Sequence, residues 1–272
     1  MAYRELFHIK SEQETPTQAN LLIRCGEQHL CFAVCNSSGH VLHELVYAQS
    51  AQWDAEDLNA WLQDHPLLQQ SFYHTLVTWD HSAAMLVPAK FYRMEEAREL
   101  LLQLHGPQPL ADVVSEQVAA WQLYCVYAVP VYQREWIQHH FPTAVFLHQY
   151  STGLKSLGAT GDAPLLLADF RNGSFSLMVL RQNQLLLSRT WQYQSPEDVI
   201  YYLLRTCEEF GLNRTESQLS ISGFIDKDSS LYKELYGYFA QITFREAAWQ
   251  MPQNEYPAHY FTAVNDLYPC VS

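Results

Sequence analysis

One strand pattern occurs twice in this chain, and it constrains the fold more than any single motif. The first copy runs Leu21-Leu22-Ile23-Arg24-Cys25-Gly26, a turn, His29 to Cys35, a turn at Ser37-Ser38-Gly39, then Val41 to Tyr47, with a helix from about Asp54. The second runs Leu165-Leu166-Leu167-Ala168-Asp169, a turn at Arg171-Asn172-Gly173, Phe175 to Leu180, a turn at Gln182-Asn183, then Leu185 to Trp191, with a helix from Ser195. Two β-β-β-α units far apart in one chain predict two like-folded halves facing a cleft. The expected class is α/β, each half a mixed five-stranded sheet flanked by helices.

The 272 residues suffice for two ordinary domains, and 48% hydrophobic with 17% charged residues is a globular composition. The formal net charge is −13, from 16 Lys+Arg against 29 Asp+Glu. An acidic surface without a basic cluster repels nucleic acid and anionic lipid. No apolar run reaches the ~20 residues needed to span a bilayer, so no membrane insertion is expected. The N-terminus lacks a basic region followed by an apolar stretch, which argues against a secretory signal and for a cytoplasmic protein. The six cysteines form no C-x-x-C pair and read as reduced, buried side chains.

The loop Gly158 to Pro164 is the best boundary in the chain. Three parts follow: 1–157, 158–248, and an aromatic tail, 249–272, packing back on the body. Residues 1 to 20 read as a polar lead-in with limited order. Helices are predicted over Trp53–Asp64, Met94–Leu104, Tyr132–His140, Gln149–Leu157, Ser195–Phe210 and Ser229–Phe239. Ser195, Pro196, Glu197 and Asp198 form a strong helix start. Val118–Val129 holds an apolar strand, and shorter strands fall at His74–Thr78, Ala83–Val87, Ala144–Leu147, Leu219–Ile221 and Gln241–Phe244.

This order resembles the actin, Hsp70 and sugar-kinase superfamily, whose ribonuclease-H-like halves hold nucleotide between them. The chain also resembles a bacterial family of unknown function with an actin-like ATPase fold, similar in shape to the actin-like cytoplasmic proteins of pilus assembly and type II secretion. In the superfamily a D-x-G-[ST] turn serves metal and phosphate. The matching stretch here is Ile23-Arg24-Cys25-Gly26-Glu27. Gly26 is kept, as a residue free to adopt positive φ, but Arg24 stands where the Asp is expected and cannot coordinate Mg²⁺. The second turn, D-x-G-G-G-[ST], corresponds to Asp169-Phe170-Arg171-Asn172-Gly173-Ser174. Asp169, Gly173 and Ser174 match; the same residues also read simply as a hairpin with a favourable Asn-Gly turn. The adenosine-side glycines correspond to Gly223, with Phe224 in the second place.

The nucleotide-binding positions implied by the resemblance are therefore Gly26, Asp169, Gly173, Ser174 and Gly223. No catalytic or metal-ligating residue is assigned. The eroded turns point to a non-catalytic binding or scaffold protein without cofactor, whose partner is another protein held through the cleft or the aromatic tail. The alternative is an ATPase or kinase-type enzyme using ATP with Mg²⁺, in which Asp169 orients the metal's water shell and Gly173 and Ser174 hold phosphate. There is no P-loop, no G-x-G-x-x-G, no G-x-S-x-G and no H-E-x-x-H to support other chemistries.

Overall fold

In a computed structural model describing residues 3–13, 15–158, 161–252 and 255–270, both strand patterns form antiparallel meanders. In chain order the first part contains β1 (Arg4–Lys10), β2 (Asn20–Gly26), β3 (His29–Cys35), β4 (Leu42–Gln49), α1 (Ala55–Asp64), β5 (His74–Asp80), β6 (Ala84–Pro88), α2 (Met94–His105), β7 (Ala111–Val118), β8 (Leu123–Pro130), α3 (Val131–His140), β9 (Val145–His148) and α4 (Gln149–Ser156). The second part contains β10 (Leu165–Arg171), β11 (Ser174–Arg181), β12 (Gln184–Gln192), α5 (Pro196–Glu209), β13 (Gln218–Gly223), α6 (Ser230–Tyr238) and β14 (Gln241–Phe244). Contacts group the chain into two compact units: Met1–Ser156 with Ala248–Glu255 and Val264–Ser272, and Leu157–Ala247 with Tyr256–Ala263.

The first unit holds a sheet of order β1-β4-β3-β2-β5-β9. The meander β2-β3-β4 is antiparallel, and β5 and β9 extend it in parallel from β2. Every residue of β2 and β3 is buried, as the apolar character on both faces of these strands requires. The sixth strand, β1, corrects the expectation of a loosely ordered lead-in: Arg4–Lys10 pairs antiparallel with β4. Its sequence hides this because an edge strand carries charge on its open positions, and only Ile9 is fully covered. A separate sheet, β6-β8-β7, is roofed by Ala97 and Leu101 of α2. Here the single strand expected over Val118–Val129 is interrupted. Ala119–Trp121 form a 3₁₀ turn and Gln122 adopts φ 52°, so β7 and β8 fold into a hairpin.

The second unit holds a five-stranded sheet of order β12-β11-β10-β13-β14, with β10 antiparallel to β11 and parallel to β13. Its core gathers Phe170, Phe175, Leu177, Val199, Leu203, Leu219 and Ile221. Helix α5 starts as the sequence requires. Pro196 occupies its first turn, and the Asp198 carboxylate accepts from the backbone N–H groups of Gln194 and Ser195 at 2.9 and 3.1 Å. A 3₁₀ turn (Ala258–Phe261) runs into a short helix, Thr262–Asn265. Ala159 and Thr160 of the expected linking loop, and Gln253, Asn254, Val271 and Ser272 of the tail, lie outside the described residues. Among the described residues no helix is long and apolar enough to cross a membrane.

Candidate functional site

Each unit gathers its polar residues where two parallel strands end. In the first unit these are β2 and β5, paired with Arg24 beside Thr78 and Gly26 beside Asp80. A cation inside an apolar strand needs a carboxylate, and Arg24 has one. Its Nε donates to Asp80 Oδ2 at 2.8 Å and its Nη2 lies 2.7 Å from the same oxygen. The two side chains are 5% and 1% exposed. His29 Nε2 lies 3.2 Å from that oxygen, and its ring stacks on Tyr47 with centroids 5.5 Å apart.

His29 also explains Gly26. A Cβ on Gly26 would sit 2.2 Å from His29 Cε1. Positive φ is not the reason, contrary to the sequence expectation, since Gly26 is not among the positive-φ glycines. The glycine is needed because an imidazole lies against its backbone. Glu27 is engaged as well, its Oε1 accepting from Ser82 N at 3.0 Å and Ser82 Oγ at 2.5 Å. Burial pushes the Cys25 thiol up to about 12, with the Asp80 charge adding to the effect, which leaves it un-ionised and unreactive at neutral pH. Burial likewise lowers His81 and keeps its imidazole neutral.

In the second unit the strands are β10 and β13, with Asp169 beside Ser222 and Phe170 beside Gly223. Asp169 Oδ1 accepts from Ser222 Oγ at 3.0 Å, and its Oδ2 lies 3.4 Å from Arg171 Nη1. Arg171 is itself buried. Its Nε donates to Ser174 Oγ at 3.3 Å and its Nη1 to Ser176 Oγ at 3.5 Å. Gly173 adopts φ 73° while Asn172 does not take positive φ, so this is not the doubly left-handed Asn-Gly turn. Gln182 and Asn183, at 52° and 58°, make that turn one hairpin later. Gly223, at φ 80°, has no room for a side chain: a Cβ would meet the Phe170 carbonyl oxygen at 2.0 Å. Phe224 packs edge-on against Tyr260, with centroids 5.5 Å apart.

Asp169 and Ser174 are thus joined through Arg171, Gly173 precedes Ser174 in the turn and accepts from Tyr193 N at 2.9 Å, and Gly223 abuts the strand of Asp169. Gly26 belongs to the other unit. Sequence reasoning missed Asp80, His29 and Ser222. A signal for Asp80 existed: Arg24 within Leu-Leu-Ile-Arg-Cys demanded an acid, and Asp80 ends the next parallel strand. The donor set does not match a magnesium phosphate, which needs oxygen ligands and bare backbone N–H groups. Both turns hold a guanidinium on their carboxylate, and Gly26 is covered by a ring. Among the described residues no group of three or more His, Cys, Asp or Glu side chains is placed to hold a metal ion.

Meander, parallel strands and helices in both units define the actin-like ATPase fold. A *Bacteroides thetaiotaomicron* protein of that fold and of unknown function aligns at 18% identity over 84% of this chain and 91% of its own, with a TM-score of 0.74. The PilM–PilN type IV pilus biogenesis complex contributes a chain at 14% identity, over 93% and 98%, with a TM-score of 0.62. The cytoplasmic domain of EpsL, from the type II secretion system of *Vibrio cholerae*, fits more loosely, at 10% identity over 94% and 96% and a TM-score of 0.45. The chain belongs to the DUF3822 family of proteins of unknown function, whose model matches residues 9–242. No curated protein matches it.

Proposed function

We propose that this protein is a cytoplasmic binding or scaffold protein on an actin-like frame, working without nucleotide hydrolysis and without a cofactor. The observation that carries this reading is the Arg24–Asp80 pair. Where the superfamily resemblance implies an Asp for the metal, the chain has a buried cation satisfied by its own carboxylate at 2.7 Å. The Arg171–Asp169 contact in the second unit supports it. PilM, a protein of similar fold, was solved in complex with PilN, which supports a protein partner here.

A phosphate-release assay with ATP and Mg²⁺ tests the reading, and no release above the blank is expected. The opposite reading, an ATPase or kinase-type enzyme, draws on Asp169, which keeps a carboxylate at its strand end beside the Ser222 hydroxyl. It requires steady turnover that Asp169→Ala abolishes while the melting temperature holds. That result would overturn the proposal.

A further inference from the structure

We propose that the Glu116 carboxyl group is a proton-operated latch that fastens the β6-β8-β7 sheet to the start of helix α4. Glu116 stands on β7, paired with Cys125 of β8. Its Oε1 accepts from the backbone N–H of His148 at 2.8 Å. His148 ends β9, a strand of the six-stranded sheet, and immediately precedes α4. A side chain of the small sheet thus does what the acid of a capping box does, receiving the N–H of the residue before a helix.

This bond leaves the carboxyl group short of donors. A carboxylate can accept about four hydrogen bonds. Among the described residues Glu116 receives one of normal geometry, and its Oε2 is buried without any. A buried charge so poorly compensated is costly. His148 supplies no counter-charge. Its Nδ1 accepts from Tyr150 N at 3.1 Å, and its Nε2 lies 3.0 Å from the His81 carbonyl oxygen. Only the neutral ring with hydrogen on Nε2 satisfies both. Arg134 of α3, which faces Tyr127 as Glu116 does, is held by Asp112 at 2.8 Å.

The remaining titratable neighbours are Cys125 and Tyr127 of β8, Lys155 of α4 and Cys270 of the tail. Burial raises Glu116 above the ordinary carboxylate range. The Ser151 hydroxyl, the His148 N–H and the Lys155 charge oppose this without cancelling it. The seated carboxyl therefore holds its proton more tightly than one released into water. The latch is closed while Glu116 is protonated, and it loosens as the pH rises through the seated group's titration, by up to about tenfold per pH unit.

Hydrogen exchange of the full chain from pH 5 to 9, corrected for the intrinsic rate, reads the latch in the amides of β7, β8 and α4. Glu116→Gln keeps an acceptor for His148 N and cannot ionise. The wild type is expected to lose protection in these elements as the pH rises, while Glu116→Gln does not. Comparing the two removes every titration they share, the histidines included. Superimposable profiles, or protection that rises with pH in the wild type relative to the variant, would overturn the proposal. Should Glu116→Gln fail to fold, the wild-type series decides alone: protection of β7 and α4 that stays level against that of α5 across the range would overturn it.

Discussion

Arg24 and Asp169 hold the same place in two copies of one strand pattern, with opposite charge. Each lies two residues before the end of its strand, and each is flanked by the corresponding antiparallel and parallel strands: Cys31 and Thr78 for Arg24, Ser176 and Ser222 for Asp169. Each charge is answered within its own unit, by Asp80 or by Arg171.

Arg24→Ala should destabilise the protein by about 3–5 kcal/mol, because it strands a buried carboxylate. The double variant Arg24→Met, Asp80→Leu should recover most of that loss, since replacing both charges with apolar groups removes the desolvation cost. Urea unfolding of the three proteins measures it. Equal losses in single and double variants would contradict the pairing.

Gly26 and Gly223 should respond differently to alanine. Gly223→Ala forces a side chain onto a backbone oxygen at φ 80°, and the conformation alone costs ~1–3 kcal/mol. No single side-chain change should rescue it. Gly26→Ala meets the His29 ring first, so His29→Ala should offset part of its cost. A double-mutant cycle in denaturant reads this coupling directly.

How much of this was legible in the sequence depended on which interactions were local. Helix α5 was readable because Ser195, Pro196 and Asp198 are neighbours whose bonds close within one turn. The two meanders were readable from apolar runs broken by turn residues. Strand β1 was not, because its strand character comes from pairing with β4, more than thirty residues on. Asp80 and His29 escaped for a related reason: neither looks unusual until β5 and β3 are laid beside β2, which sets Asp80 on Arg24 and His29 on Asp80. Gly26 was picked out as a site glycine, but for a conformational reason it does not have.

Acid should weaken the fold through buried histidines. His65 and His259 are both lowered from 6.5, in each case mainly by burial. His259 Nε2–H donates to the Ile225 carbonyl at 2.8 Å, which fixes the ring's orientation and partly opposes the effect of burial. Below about pH 6.5 the unfolded chain takes up protons that the folded ring resists, so stability is full above that pH and falls as the pH drops. Melting temperatures from pH 8 to 5 should decline on the acid side, with a shallower slope in His259→Gln. A flat profile would contradict the burial.

Removing residues 249–272 should cost stability in both units. The Gln250 backbone bonds to His40 O at 2.7 Å and to Leu42 N at 3.0 Å, and Tyr268 lies against Gly39 in the first unit. Tyr260 donates to Asp226 Oδ2 at 2.7 Å in the second. Truncation should lower the melting temperature by several degrees. An unchanged value would assign these aromatics to a partner instead.

Isothermal titration of the full chain with ATP in the presence of Mg²⁺ tests the central claim most directly. A site whose cation and carboxylate already satisfy each other should give a flat isotherm. Saturable heat at micromolar ATP would contradict the account, because it would mean that the Arg24–Asp80 and Arg171–Asp169 contacts leave a working triphosphate site.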